Sequence, residues 1–260
     1  MPLLDVEGAK LNYQEQGTGE TIVLTAAYNT PSKCWGALVP LLAEHFHVVT
    51  YDVRGFGDTE FDETRASLDD TSDDLHALIE FVGAPVMSLG HAFGGAVAAN
   101  HAVRYPDDLR ALIMVSAGGM FAGDPAASAN MVPLSTKKDL DADTYAKLFS
   151  ETYCGAGFGE TPKQRELLDG MFHDAPSRDQ MRLAFSILGS MNAENYWAKW
   201  THPTLLIYGT QDRVTVPLNA LDLARLPDSQ LHWLRGAGHY STWERPERIT
   251  ELIGEFETSL

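Results

Sequence analysis

The chain has 260 residues, 44% of them hydrophobic, with a formal net charge of −17 at pH 7. That length can bury a substantial core, in one large domain or in a core that carries an insertion. The acidic balance excludes binding to nucleic acid or to an anionic membrane through bulk electrostatics. In chain order, Asp5 to Gln14 and Thr21 to Thr25 read as strands, joined by the turn-rich Gln16-Gly17-Thr18-Gly19-Glu20. Ile22-Val23-Leu24 is apolar throughout, as suits a strand buried on both faces. Trp35 to His45 has helical spacing, and Phe46 to Asp52 reads as the next strand. A glycine-rich loop, Arg54 to Thr59, leads to a helix at Thr71 to Val82 with Leu75, Leu78, Ile79 and Val82 on one face.

Val86 to Ala99 is the stretch on which the functional argument turns. It opens as a short apolar strand, passes through a turn bounded by Gly90 and Gly94, and closes as an alanine-rich helix. Leu112 to Val115 is another buried strand. From Gly118 to about Trp200 the pattern changes to helical stretches at Asp141 to Thr152, Pro162 to Phe172 and Ser177 to Leu188, rich in aromatic residues. Alternation then resumes with a strand at Thr204 to Gly209, a helix at Leu218 to Leu226, a strand at Gln230 to Leu234 and a helix at Pro246 to Leu260. Such alternation predicts an α/β fold, a mainly parallel sheet of about eight strands with helices on both faces. Residues 1–118 and 201–260 are expected to form its core, and residues 119–200 an inserted helical cap.

Strand, glycine-bounded turn and helix are the context of a nucleophile elbow, G-x-S-x-G, in which a strained turn projects the attacking side chain. Here the elbow reads Gly90-His91-Ala92-Phe93-Gly94-Gly95, so its central position carries no nucleophile. Three further landmarks follow predicted strands. They are Asp52-Val53-Arg54-Gly55-Phe56-Gly57-Asp58-Thr59, Gly209-Thr210-Gln211-Asp212 and Gly236-Ala237-Gly238-His239.

On these four motifs, which fall along the chain as the Asp52 loop, the elbow, the Asp212 loop and the His239 loop, the chain resembles the α/β-hydrolase superfamily over residues 8–117 and 201–258. The resemblance implies that His239 is the general base and Asp212 the acid that orients it, with Asp124 as the alternative acid. An imidazole is the side chain best suited to exchanging a proton near neutral pH. The oxyanion hole is expected at the backbone N–H groups of Phe93 and Tyr28. The family usually carries His-Gly at the second of these, where this chain has Ala26-Ala27-Tyr28-Asn29, and Asn29 is a candidate substrate contact. Phe149, Phe185, Trp197 and Tyr240 are further candidates for the substrate wall, while His91 reads as packing beneath the turn.

Ala92 allows three readings: a serine replaced in an inactive variant, a native binding module, or a position that held aspartate or cysteine. A retained base, acid and pair of elbow glycines favours the first. The expected activity of the serine form is cofactor-independent hydrolysis of a small or medium apolar ester or lactone. A carbon–carbon bond hydrolase of ring-cleavage products and a non-catalytic ligand-binding protein are the rivals, since one scaffold serves all. No metal-ligand cluster and no dinucleotide-binding glycine motif is visible in the sequence. The partner expected is a small apolar molecule, with neither nucleic acid nor membrane, and a homodimer is left open. With only Cys34 and Cys154, and no basic-then-apolar leader after Met1, the expected compartment is the cytoplasm.

Overall fold

The computed structural model of the chain describes residues 2–27, 32–117, 134, 140–174, 177–189, 200–215, 220–224 and 226–260. The first departure from the sequence expectation is at the N-terminus. In place of one strand from Asp5 to Gln14 there is an antiparallel hairpin, β1 (Leu3–Val6) and β2 (Ala9–Gln16), with Val6 opposite Ala9. Gly8 closes its two-residue turn at φ 74°, a conformation that glycine adopts without the Cβ clash.

Seven more strands follow: β3 (Thr21–Thr25), β4 (His47–Tyr51), β5 (Glu60–Phe61), β6 (Val86–His91), β7 (Leu109–Val115), β8 (Thr204–Gly209) and β9 (Ser229–Leu234). The sheet order is β1-β2-β4-β3-β6-β7-β8-β9, with β5 paired to β2. Every pairing from β4 through β9 is parallel, and only the N-terminal strands and β5 run antiparallel. The continuous apolar runs are explained by this topology. All six residues of β6 and of β8 are buried, because helices cover both faces. Chain order reverses between β3 and β6, where successive crossovers go to opposite sides. Such a switch point opens a crevice at the carboxyl ends of the strands.

The helices are α1 (Val39–Leu42), α2 (Leu68–Val82), α3 (Phe93–Arg104), α4 (Ala142–Tyr153), α5 (Pro162–Asp174), α6 (Arg178–Gly189), α7 (Ala220–Leu223), α8 (Ser241–Glu244) and α9 (Pro246–Ser259). The helix expected over Trp35 to His45 is instead a 3-10 turn at Ser32–Ala37 followed by the short α1. Pro40 accounts for the break, since it has no N–H to give and so sits in the first turn of a new helix. Helix α2 begins at Leu68, three residues before the predicted start at Thr71, because Ser67 caps it. The Ser67 hydroxyl accepts from the Asp70 N–H and the Asp70 carboxylate accepts from the Ser67 N–H. Within the stretch predicted as the helix Leu218 to Leu226, the structure describes Ala220–Leu223 as helical, and residues 216–219 and 225 lie outside the described set. Helices α4, α5 and α6 fall between β7 and β8, in the interval predicted as a helical insertion.

Two apolar clusters lie on the two faces of the sheet. One joins α2 and α3 to it through residues such as Leu75, Ile79, Val97 and Leu112. The other gathers Leu38, Ile113, Leu205 and the α9 stripe Ile249, Leu252, Ile253 and Phe256, and it extends into α4 through Tyr145, Phe149 and Tyr153.

Candidate active site

Ala92 stands between the end of β6 and the first residue of α3, at φ 50° and ψ −111°. A side-chain-bearing residue held at positive φ costs on the order of 1–3 kcal/mol and persists only where its surroundings enforce it. Here they do. The Ala92 N–H donates to the Val115 carbonyl at 3.1 Å, and the Gly95 N–H donates back to the Ala92 carbonyl at 3.0 Å. The neighbouring glycines are sterically required. A Cβ on Gly94 would lie 2.0 Å from the Thr25 carbonyl oxygen, and one on Gly90 would lie 2.5 Å from the Gly94 oxygen. Helix α3 therefore starts in close backbone contact with β3, and its N-terminus, the positive end of its dipole, sits at the crevice.

Asp212 and His239 come from the loops after β8 and β9, whose ends align at the same edge of the sheet through the pairing of Gly209 with Leu234. The His239 Nδ1 lies 3.0 Å from Asp212 Oδ2 and 3.2 Å from Oδ1. A carboxylate offers only acceptors, so the proton of this bond is on Nδ1 and the lone pair is on Nε2. Asp212 is itself fixed, because its Oδ1 accepts the N–H groups of Val214 at 2.9 Å and Thr215 at 2.8 Å. The Thr215 hydroxyl in turn donates to the Ser116 carbonyl at 3.0 Å. Both members of the pair are buried, His239 to 3% and Asp212 to 5% exposure. In that low-dielectric setting a charge-assisted bond is strong.

His91 does more than pack beneath the turn. Its Nε2 lies 2.9 Å from the His239 carbonyl oxygen, and the two rings are 5.1 Å apart. Burial, and then the nearby His239, pull the His91 pKa down to about 3. The ring is neutral, and its Nε2–H donates to the base's own backbone. Elbow and base loop are thereby tied directly. Ser116 is a further strained residue at this edge, at φ 48°, with its N–H on the Ile207 carbonyl at 2.9 Å. Apolar patterning gives no signal for either arrangement.

Of the expected substrate wall, Phe149 and Tyr240 come together with ring centroids 5.2 Å apart. They belong to an aromatic cluster with Tyr145, Tyr153 and Trp243 that joins α4 to the base loop. Phe149 is only 1% exposed there, whereas Phe185 on α6 is 52% exposed. Tyr28, Asn29, Asp124 and Trp197 lie outside the described residues, and Phe93 is the first residue of α3. Away from the elbow, the fold collects His76, His101 and Asp108, a cluster the sequence reading did not find. The two histidines contact one Asp108 oxygen at 2.7 and 2.8 Å. These are hydrogen-bond separations, shorter than the spacing of two ligands around one divalent ion.

A parallel sheet with a strained turn at its switch point, and an aspartate–histidine pair beyond the ends of β8 and β9, defines the α/β-hydrolase class. The model of the alpha/beta hydrolase family matches residues 22–252, and the chain belongs to that family. A monoacylglycerol lipase of Bos taurus is 25% identical over 263 residues, covering 94% of this chain and 77% of the lipase. A 2-hydroxy-6-oxononadienedioate/2-hydroxy-6-oxononatrienedioate hydrolase of Comamonas testosteroni is 23% identical over 267 residues, covering 95% of this chain and 91% of that protein. Among solved structures, a thermophilic esterase from Thermogutta terrifontis superposes with a TM-score of 0.80 at 24% identity, covering 96% and 94% of the two chains. The family match and the shared fold make the chain an α/β-hydrolase.

Proposed function

We propose that the chain is a serine hydrolase for small or medium apolar esters or lactones, with alanine standing at its nucleophile position. The observation that carries this reading is the strain at Ala92. A β-carbon is held at φ 50° on the same sheet edge as a buried, oriented Asp212–His239 pair. With serine at position 92, the hydroxyl would attack the carbonyl carbon while His239 Nε2 takes its proton. Asp212 keeps the Nδ1 tautomer and stabilises the imidazolium. The Phe93 N–H, at the start of α3, and the Tyr28 N–H are the proposed donors to the oxyanion. The tetrahedral intermediate then collapses: the bond to the alcohol oxygen breaks, and the leaving alcohol takes the proton from His239 Nε2. Water, deprotonated by the now neutral His239, attacks the acyl group and releases it, and the serine regains its proton from His239. Residues 119–200 act in this reading as a helical cap that holds apolar substrate groups and excludes water.

The likeness to the Comamonas testosteroni hydrolase supports a second reading, cleavage of a carbon–carbon bond in a vinylogous diketone. Kinetics of the Ala92→Ser form on ester, lactone and vinylogous diketone panels separate the two. Hydrolysis of esters or lactones at least about 10³-fold above the starting chain supports the first reading, because a lost triad nucleophile costs on the order of 10⁶ in kcat. Turnover of diketones alone favours the second. An inert Ala92→Ser form across all three panels contradicts both.

A further inference from the structure

Glu244 is a charged side chain in a place that needs explaining. It ends α8, five residues beyond His239, and it is half-buried. Burial raises its pKa from the ordinary carboxylate value, and two backbone hydrogen bonds oppose that rise. Burying a carboxylate is unfavourable unless its oxygens are satisfied. Both are. Oε1 accepts the Gly238 N–H at 2.9 Å, and Oε2 accepts the Gly155 N–H at 2.8 Å.

The two donors belong to different parts of the fold. Gly238 immediately precedes His239. Gly155 lies just past the end of α4, within the helical insertion. The two segments touch backbone to backbone. A Cβ on Gly155 would fall 2.0 Å from the Gly236 oxygen, and one on Gly238 would fall 2.7 Å from the Gly155 nitrogen. Beside this contact, the N–H of His239, one residue after Gly238, donates to the carbonyl of Tyr153, two residues before Gly155, at 2.6 Å. The histidine is thus held by its own N–H, by its carbonyl on His91, and by the N–H before it on Glu244. With the backbone fixed at three points, only the two side-chain torsions and Asp212 remain to aim the imidazole.

Resting on the hydrolase reading above, we propose that Glu244 is a positioning residue, a clasp that locks the base loop to the end of α4 and thereby sets the His239–Asp212 geometry. It touches no reacting atom. Its loss frees the Gly238 N–H and lets the loop drift against Asp212. Displacements on the order of 1 Å at a catalytic group lower rates by up to about 10²-fold.

The test uses Glu244→Gln, which preserves size and one acceptor but turns an N–H₂ group toward one of the two amides. The first readout is made on the starting chain with Ala92 in place: the downfield proton NMR signal of His239 Nδ1–H. Ile253→Val, in the α9 core, serves as the control for lowered stability alone. The clasp predicts a sharp signal in the starting chain and in Ile253→Val, and a broadened or lost one in Glu244→Gln. The second readout is kinetic, in the Ala92→Ser background. Glu244→Gln should lower kcat about 10- to 100-fold with KM changed less than about 3-fold. An unchanged signal in Glu244→Gln, or its absence from the starting chain, overturns the proposal. Equal losses in Glu244→Gln and Ile253→Val overturn it as well. An inert Ala92→Ser form with the predicted NMR pattern sinks the hydrolase reading and leaves the clasp standing. If Glu244→Gln fails to fold, the same signal is read in Glu244→Asp, which keeps the charge but spans only one of the two amides.

Discussion

At the scale of single residues, the site is explained by what each backbone group gives away. Asp212 spends one oxygen on the Val214 and Thr215 amides and keeps the other for His239, at 3.0 Å. A neutral amide at this position would still cap the turn with its carbonyl. It could then present only an N–H₂ group to His239, which moves the imidazole proton to Nε2 and removes the base. Asp212→Asn in the Ala92→Ser background should therefore lower kcat by about 10⁴-fold while the protein stays folded. Steady-state kinetics and a melting curve measure both halves of this. Full activity in that variant would assign the acid elsewhere, to Asp124. The elbow, Asp212 and His239 were legible in the sequence because each follows a strand and sits among glycines that make turns. Glu244 was not. Nothing local distinguishes it from the other acids of an acidic chain, and its donors, Gly155 and Gly238, meet only after the fold closes. His91 was half legible: its place under the turn could be read, and its bond to the His239 carbonyl could not.

At the scale of elements, apolar periodicity located most helices, and polar chemistry set their ends. Helix α2 shows this best. Its apolar stripe starts at Leu75, yet Ser67 and Asp70 begin the helix a full turn and more earlier by satisfying each other's amides. Ser67→Ala leaves the Asp70 N–H without its hydroxyl partner, and should lower stability by about 1 kcal/mol in urea unfolding with little effect on catalysis. A loss near zero would show that water substitutes fully for the cap. Backbone effects that periodicity does not report explain the two corrected elements. The N-terminal strand is a hairpin because Gly8 can adopt φ 74°, and the helix expected from Trp35 is broken where Pro40 has no proton to give. Helices α4, α5 and α6 between β7 and β8 were legible from their spacing. The attachment of α4 to the base loop, through Tyr153 and Gly155, is a tertiary contact with no periodic signature.

At the scale of the whole molecule, buried titratable groups set how the fold responds to acid. His91 is pulled down to about 3, chiefly by burial, and His101 to about 4 for the same reason, from an ordinary value of 6.5. Both are neutral in the folded chain. The unfolded chain protonates them below about 6.5, so it binds more protons there and stability falls as pH drops from 6.5 toward 4. Each group contributes a slope of about 1.4 kcal/mol per pH unit in that window. Asp74 and Glu244, raised chiefly by burial, work in the opposite sense, since the folded chain takes up their protons first. The histidine part is isolated by His101→Gln, whose amide can donate to Asp108 as the imidazole does. Between pH 6 and pH 5 the unfolding free energy of that variant should decline less steeply than that of the starting chain, by about 1.4 kcal/mol per unit. Equal slopes would show that His101 titrates normally. Among the described residues no helix is long and apolar enough to cross a membrane.

The central claim is that position 92 is the nucleophile position of an assembled triad, and one measurement reaches it directly. The Ala92→Ser form is exposed to an alkyl fluorophosphonate at neutral pH, and its intact mass is read beside those of the starting chain and of Ala92→Ser with His239→Ala. A single adduct is expected on the Ala92→Ser form, mapped by peptide mass to position 92. None is expected on the starting chain, and without His239 the reaction should be strongly slowed. No adduct at position 92, or equal labelling of all three proteins, would contradict it.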